Sequence, residues 1–227
     1  MELTSLEVSG KQKAKNMKGS GVLIVLIVVV VLGIGFYSMT SGSSDEEYIA
    51  AVISERKQKD GFMRTADESP FATKDTASVE GQAFTGLKYF EPDIKYRIKA
   101  TLVPIENKKV LDLPTSSGEQ NRYLEYAWAE FELNGGRNRL LLLEVMAMGT
   151  TRGTLFLAFA DETSTKETYG AGRYLDVKKV PGASSIVFDF NKAYNPYCAY
   201  TDLYSCPFPP AENILKVEIK AGEKSYH

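Results

Sequence analysis

Asn134-Gly135-Gly136 separates two runs, Tyr123 to Leu133 and Arg139 to Met148, in which apolar and polar residues alternate. Asn and Gly accept the positive φ that a tight hairpin turn demands, so this segment predicts two paired antiparallel strands. Ala127, Ala129, Phe131 and Leu133 share one face of the first strand, and Glu130 and Glu132 the other. The same period of two recurs from Lys95 to Ile105, where Tyr96, Ile98, Ala100 and Leu102 alternate with polar neighbours. Further strands are predicted at Thr154 to Ala160, Arg173 to Val177, Ser184 to Phe190 and Ile214 to Lys220. Strands at this spacing, without helices between them, predict a mainly β domain over 70–227, built as an antiparallel β-sandwich or a small barrel.

Upstream the pattern differs. Ser44 followed by Glu47 fits a capping box. Tyr48, Ile49, Val52, Ile53, Phe62 and Met63 then recur at helical spacing, so an amphipathic helix is expected from Asp45, closed by Ser69-Pro70. Before it, Gly21 to Tyr37 is an uncharged apolar run. At about 1.5 Å per residue, 20–38 is long enough to cross nearly 30 Å of hydrocarbon. Lys11, Lys13, Lys15 and Lys18 precede the run, which puts the N-terminus in the cytoplasm. The expected organisation is a cytoplasmic tail (1–19), a transmembrane helix (20–38), a linker (39–44), the amphipathic helix (45–69) and an extracytoplasmic β domain (70–227). A cleaved signal peptide ending near Ser38-Met39-Thr40 is the alternative, and it would export the same domain.

Several functions are disfavoured. A formal net charge of −2 leaves no basic surplus to neutralise phosphates, so nucleic acid is not expected as a partner. The single histidine is His227, so a Ser-His-Asp or Cys-His centre lacks a positioned base. Two cysteines and that histidine do not make a zinc site. No phosphate-binding loop or dinucleotide fingerprint is present, and no cofactor or metal is expected. Cys198 and Cys206 flank a short loop. Outside the cytoplasm a disulfide between them is allowed, and inert thiols or one reactive cysteine are the alternatives.

Two stretches look unlike plain core or turn. Asp161 to Asp176 is dense in hydroxyls and charge, and Gly170 and Gly172 precede Arg173 and Tyr174. A backbone bend there would present Lys166, Tyr169, Arg173 and Tyr174 to an anionic or hydroxylated ligand, because a guanidinium can bond two oxygens at once. Asp189 to Asn213 contains four tyrosines, four prolines and both cysteines. A stiff aromatic loop of this kind suits a pocket wall, with Asp189, Asn191, Tyr194, Asn195, Tyr200 and Glu212 as candidate ligand-binding residues. The plainer reading of both stretches is a polar hairpin loop and a cover for the sheet.

These stretches also carry a resemblance. ETYGAGRYLD at Glu167 to Asp176, FNKAYNPYCAY at Phe190 to Tyr200, YSCPFPPAEN at Tyr204 to Asn213 and IKAGEK at Ile219 to Lys224 resemble the signature of an uncharacterised bacterial and archaeal family, the domain of unknown function 1684. KDGFMR at Lys59 to Arg64 and GLKYFEPDIKYRIKA at Gly86 to Ala100 fit the same family. The resemblance implies no assigned activity, cofactor or substrate. Polar motifs of this kind, if shared by the family, would favour a ligand site.

Three functions compete. The first is a membrane-anchored extracytoplasmic binding or interaction module, whose partner is a small ligand or an envelope protein and whose site lies near Arg173 and Tyr194. The second is a hydrolase using Asp189 and Glu212 as acid and base, with Arg173 as electrostatic partner. The third is a structural subunit of an envelope assembly, contacting its neighbours through the amphipathic helix.

Overall fold

The structure is a computed structural model that describes residues 44–71, 84–146 and 153–227. The chain divides into two compact units, Met1–Glu47 and Tyr48–His227. The described part of the first unit is the opening turn of helix α1, which runs over 44–65. The transmembrane segment expected over 20–38, its tail and its linker up to residue 43 lie outside the described residues. Residue 44, assigned to the linker, already belongs to α1. Among the described residues no helix is long and apolar enough to cross a membrane.

Among the described residues the second unit is built on seven strands: β1 (Arg97–Pro104), β2 (Val110–Pro114), β3 (Gln120–Leu133), β4 (Gly136–Val145), β5 (Thr154–Phe159), β6 (Arg173–Lys178) and β7 (Ser185–Asp189). They form one antiparallel sheet in the order β6-β5-β4-β3-β1-β7, with β2 also on β3. β3 is long enough to pair β2 along its first half and β1 along its second. The end strands β6 and β7 approach each other without pairing, so the sheet is rolled into a nearly closed barrel. The hairpin between β3 and β4 turns on Asn134 (φ 53°) and Gly135 (φ 76°), as its sequence demands.

Both faces of the central strands are buried. In β4, Leu140 and Leu142 point into the barrel with Phe131, Leu157, Phe159 and Phe188. Leu141 and Leu143 point outward and are covered with Phe156, Ala158 and Tyr174. The Tyr- and Pro-rich loop supplies part of that cover: Tyr194 packs edge-on against Tyr174, and the Tyr174 hydroxyl donates to the Pro207 carbonyl. Gly172 (φ 91°) permits this, because a Cβ there would lie 2.6 Å from both the Phe159 carbonyl and Pro209.

Two expectations need correction. β2 has no counterpart among the predicted strands, because a five-residue edge strand ending in proline gives little periodic signal. The strand expected at Ile214 to Lys220 does not form. Leu215 and Ile219 are buried and Val217 is partly buried, which is the alternation that suggested a strand. The backbone, however, bonds elsewhere: Leu215 N–H donates to Ala160, Ile219 N–H donates to the Asp161 carboxylate, and Val217 C=O accepts from Glu162. The segment therefore packs as an irregular closing strap against the β5 end and the following loop.

Candidate functional site

Arg173 opens β6 and its side chain is only 1% exposed. Its guanidinium pairs with Asp161 at 2.8 Å and donates to the carbonyls of Ile219, Ala221 and Glu223. Asp161 also accepts from the Thr163 N–H, the Thr163 hydroxyl and the Ile219 N–H. Both terminal nitrogens of the guanidinium and both carboxylate oxygens are engaged, and the pair is sealed from solvent. Burial pulls the Arg173 pKa below its ordinary value, opposed by the Asp161 charge. The expected ligand-binding role for Arg173 is thus replaced by a structural one: it clamps the closing strap.

The other predicted residues divide into three groups. Lys166 and Glu212 are exposed, and Lys166 meets only Glu162, at 3.9 Å. Tyr169 and Tyr174 serve the loop. Tyr169 donates to the Cys198 carbonyl at 3.4 Å, and burial pushes its pKa up to about 12. Asp189, Asn191, Tyr194, Asn195 and Tyr200 come together beside α1. Asp189 accepts from the Tyr48 hydroxyl at 2.7 Å and from Asn191. Asn191 bridges Asp93 and Tyr48. Asp189 is buried and bonded to Tyr48 and Asn191, whereas Glu212 is exposed, so the structure gives the two carboxylates different surroundings. Cys198 and Cys206 are free thiols, so the disulfide expectation is corrected to a dithiol in contact: the Cys198 N–H donates to Cys206 Sγ at 3.2 Å.

The third group borders a cavity of about 170 Å³, lined by Val52, Glu55, Arg56, Lys59, Tyr89, Tyr194 and Glu223, together with Asn191, Lys192 and Ala193. Val52, Glu55, Arg56 and Lys59 fall at positions i, i+3, i+4 and i+7, and hence on one face of α1. Glu223, 1% exposed, is the centre. It pairs with Lys59 and accepts from the Asn195 N–H at 2.9 Å and the Tyr200 hydroxyl at 2.6 Å. Gly222 (φ 75°) delivers it, since a Cβ there would stand 2.7 Å from the carbonyls of Phe190 and Ala193. Arg56 donates to the carbonyls of Phe90 and Asn191 and lies over the Tyr89 ring at 4.5 Å. Lys192 is held by Glu55 at 2.7 Å.

Burial, reinforced by the neighbouring carboxylates, raises the pKa of Tyr89, Tyr194 and Tyr200 above the ordinary tyrosine value. Three buried side-chain atoms lack a hydrogen-bond partner among the described residues: Arg56 Nε, Tyr89 Oη and Asn195 Oδ1. Arg56 and Tyr89 line this cavity, and Asn195 is bonded to Glu223 on its wall. Tyr89 Oη lies close enough to Glu223 to feel its charge without a well-formed hydrogen bond.

Arg56, Lys59, Tyr89 and Glu223 were absent from the sequence reading of the site. One signal for two of them was present: Arg56 and Lys59 interrupt the helical stripe that contains Val52 and Met63, both buried. Tyr89 and Glu223 reach the site only through the fold, as an isolated antiparallel bridge between distant segments.

The family described as "Protein of unknown function (DUF1684)" matches residues 82–224. The solution NMR structure of an uncharacterised protein from Haloarcula marismortui is similar, at 34% identity and a TM-score of 0.60, over 82% of this chain and 99% of that one. No curated protein matches.

Proposed function

The chain belongs to the DUF1684 family of unknown function, and from that premise we propose that its β domain binds a small anionic ligand in the cavity between α1 and the barrel. The observation that carries this reading is a pair of unpartnered buried polar atoms, Arg56 Nε and Tyr89 Oη, on residues that line one cavity. An unmet buried polar group costs roughly 1–3 kcal/mol, so two in one place mark a site that gains by meeting a polar partner. The lining favours a negative one. Arg56, Lys59, Tyr89 and Tyr194 all carry donors, while the carboxylates of Glu55 and Glu223 are already paired with Lys192 and Lys59. Size limits the ligand further: about 170 Å³ falls below the roughly 300–1,000 Å³ of drug-sized pockets. A compact hydroxy acid or sugar acid meets these conditions, with its carboxylate toward Arg56 and a hydroxyl toward Tyr89.

The apolar run Gly21 to Tyr37 supports placing this module at a membrane, N-terminus inside and β domain outside. The envelope-subunit reading draws less support, because Val52 and Met63 of α1 are buried in the chain's own domain.

The test is thermal unfolding of the full chain, purified in mild detergent, against hydroxy acids, sugar acids, inorganic phosphate and neutral sugars. A true ligand at 100 times its Kd stabilises by about 2.7 kcal/mol. Acids should stabilise and neutral sugars should not, and Arg56→Lys and Tyr89→Phe should each weaken the effect. Stabilisation by no member of the panel, or binding unchanged in both variants, would overturn the proposal.

A further inference from the structure

We propose that Cys198 and Cys206 form a redox-active dithiol that cycles between two thiols and an intramolecular disulfide, with Cys198 as the attacking sulfur and Cys206 as the resolving one. The geometry supports this assignment. The Cys198 N–H points at Cys206 Sγ, at 3.2 Å. Cys198 is partly exposed and Cys206 is buried, so an external reagent meets Cys198 first. Both cysteines are held from outside the loop that joins them. Cys206 N–H donates to the Ser116 hydroxyl at 3.2 Å, and the Cys206 carbonyl accepts from Ser116 N–H at 3.1 Å. On the other side, the Tyr169 hydroxyl reaches the Cys198 carbonyl and lies 4.0 Å from its sulfur. Two separate parts of the scaffold therefore fix the two cysteines beside each other.

The electrostatics of the pair are asymmetric in the same sense. The thiol hydrogen bond from Cys206, helped by Tyr169 and Ser116, lowers the Cys198 pKa to about 7. That same hydrogen bond, with burial, pushes the Cys206 pKa well up. An exposed low-pKa thiol beside a protected partner is the arrangement that thiol–disulfide exchange uses.

The chemistry balances with a low-molecular-weight disulfide, RSSR, as oxidant. Cys198 loses its proton to solvent, and the thiolate attacks one sulfur of RSSR. An S–S bond forms to Cys198, the R–S–S–R bond breaks, and RS⁻ departs and is protonated. Cys206 then loses its proton and attacks Cys198 Sγ, releasing the second RS⁻. Both cysteine sulfurs are oxidised, and one RSSR becomes two RSH. Tyr200 lies inside the loop that this bond closes, and its hydroxyl donates to Glu223, so oxidation would pin one partner of the cavity's central carboxylate.

The experiment equilibrates the full chain with reduced and oxidised glutathione at graded ratios, quenches with acid, alkylates and reads the intact mass. The wild type should lose two hydrogens across an intermediate range of ratios and regain them when returned to reduced glutathione. Cys206→Ser should trap one glutathione on Cys198, and Cys198→Ser should trap far less. At pH 7, iodoacetamide should modify Cys198 roughly tenfold faster than an ordinary exposed thiol, since a pKa near 7 leaves half of it as thiolate. Thiols that stay alkylatable at the most oxidising ratio would overturn the proposal in favour of inert cysteines. A disulfide that glutathione cannot reduce in the native protein would overturn it in favour of a fixed staple. Equal glutathione capture by the two variants would overturn the assignment of roles. The wild-type titration stands alone should either variant fail to fold.

Discussion

Two buried ion pairs hold the strap that closes the barrel, and they are built differently. Arg173–Asp161 has side chains 1% and 0% exposed, and carbonyls, amides and a hydroxyl meet its remaining hydrogen-bonding groups. Lys59–Glu223 has its carboxylate equally buried, but the lysine is 28% exposed and the pair borders a cavity. Unpartnered atoms surround the second pair and not the first. A saturated buried network rigidifies the fold and offers nothing to a ligand; an unsaturated one beside an opening keeps capacity to bind. The most conspicuous charged residue of a polar loop was therefore the wrong one to choose.

The largest test of this contrast removes one cation at a time. Arg173→Met leaves Asp161 buried without its partner, and should cost about 3–5 kcal/mol in urea unfolding. Equal loss from Lys59→Met would erase the distinction between the pairs. A second effect, smaller for each residue involved, comes with alkaline pH. Tyr89, Tyr194 and Tyr200 have folded pKa values raised above 10, so the unfolded chain gives up these protons first. Stability is then full below pH 10 and falls as pH rises beyond it, by about 1.4 kcal/mol per pH unit for each such tyrosine. Urea midpoints at pH 9, 10 and 11 should fall progressively, and Tyr200→Phe should flatten the slope. Among the described residues Asp161 accepts from no tyrosine, whereas Glu223 accepts from Tyr200.

Lys59→Met itself should cost only about 1–2 kcal/mol, because Glu223 keeps the donors of Asn195 and Tyr200. Smallest of all, Tyr89→Phe removes a hydroxyl that has no partner and should change stability by less than about 1 kcal/mol. That silence in unfolding, set against lost ligand stabilisation, would separate binding from folding at one residue.

Much of the barrel could be read from local pattern. Asn134-Gly135 specified its hairpin, and strict alternation placed β1, β3, β5, β6 and β7 to within a few residues. Alternation also misled at Ile214 to Lys220. There the side chains obey a strand's periodicity, while the carbonyls of Ile219 and Ala221 are taken by an arginine rather than a neighbouring strand. Of the candidates in the Tyr- and Pro-rich loop, Asp189, Asn191, Tyr194, Asn195 and Tyr200 lie together beside α1. Their partners were not legible. Glu223 follows a glycine whose necessity appears only when the backbone of Phe190 and Ala193 is in place. Arg56 and Lys59 read as the polar side of a helix until the cavity shows which way that side faces.

The strap has a further consequence, in time. Glu223 bonds to Lys59 across 164 residues of sequence, and Lys220 N–H bonds to Tyr96 across 124. The β3–β4 hairpin can close early because its turn is two residues long. Contacts at such long separation must wait until the loop-closure entropy of everything between them has been met. The cavity wall is therefore among the last parts of the domain to assemble, and a chain caught before that step carries a finished sheet with an open seam.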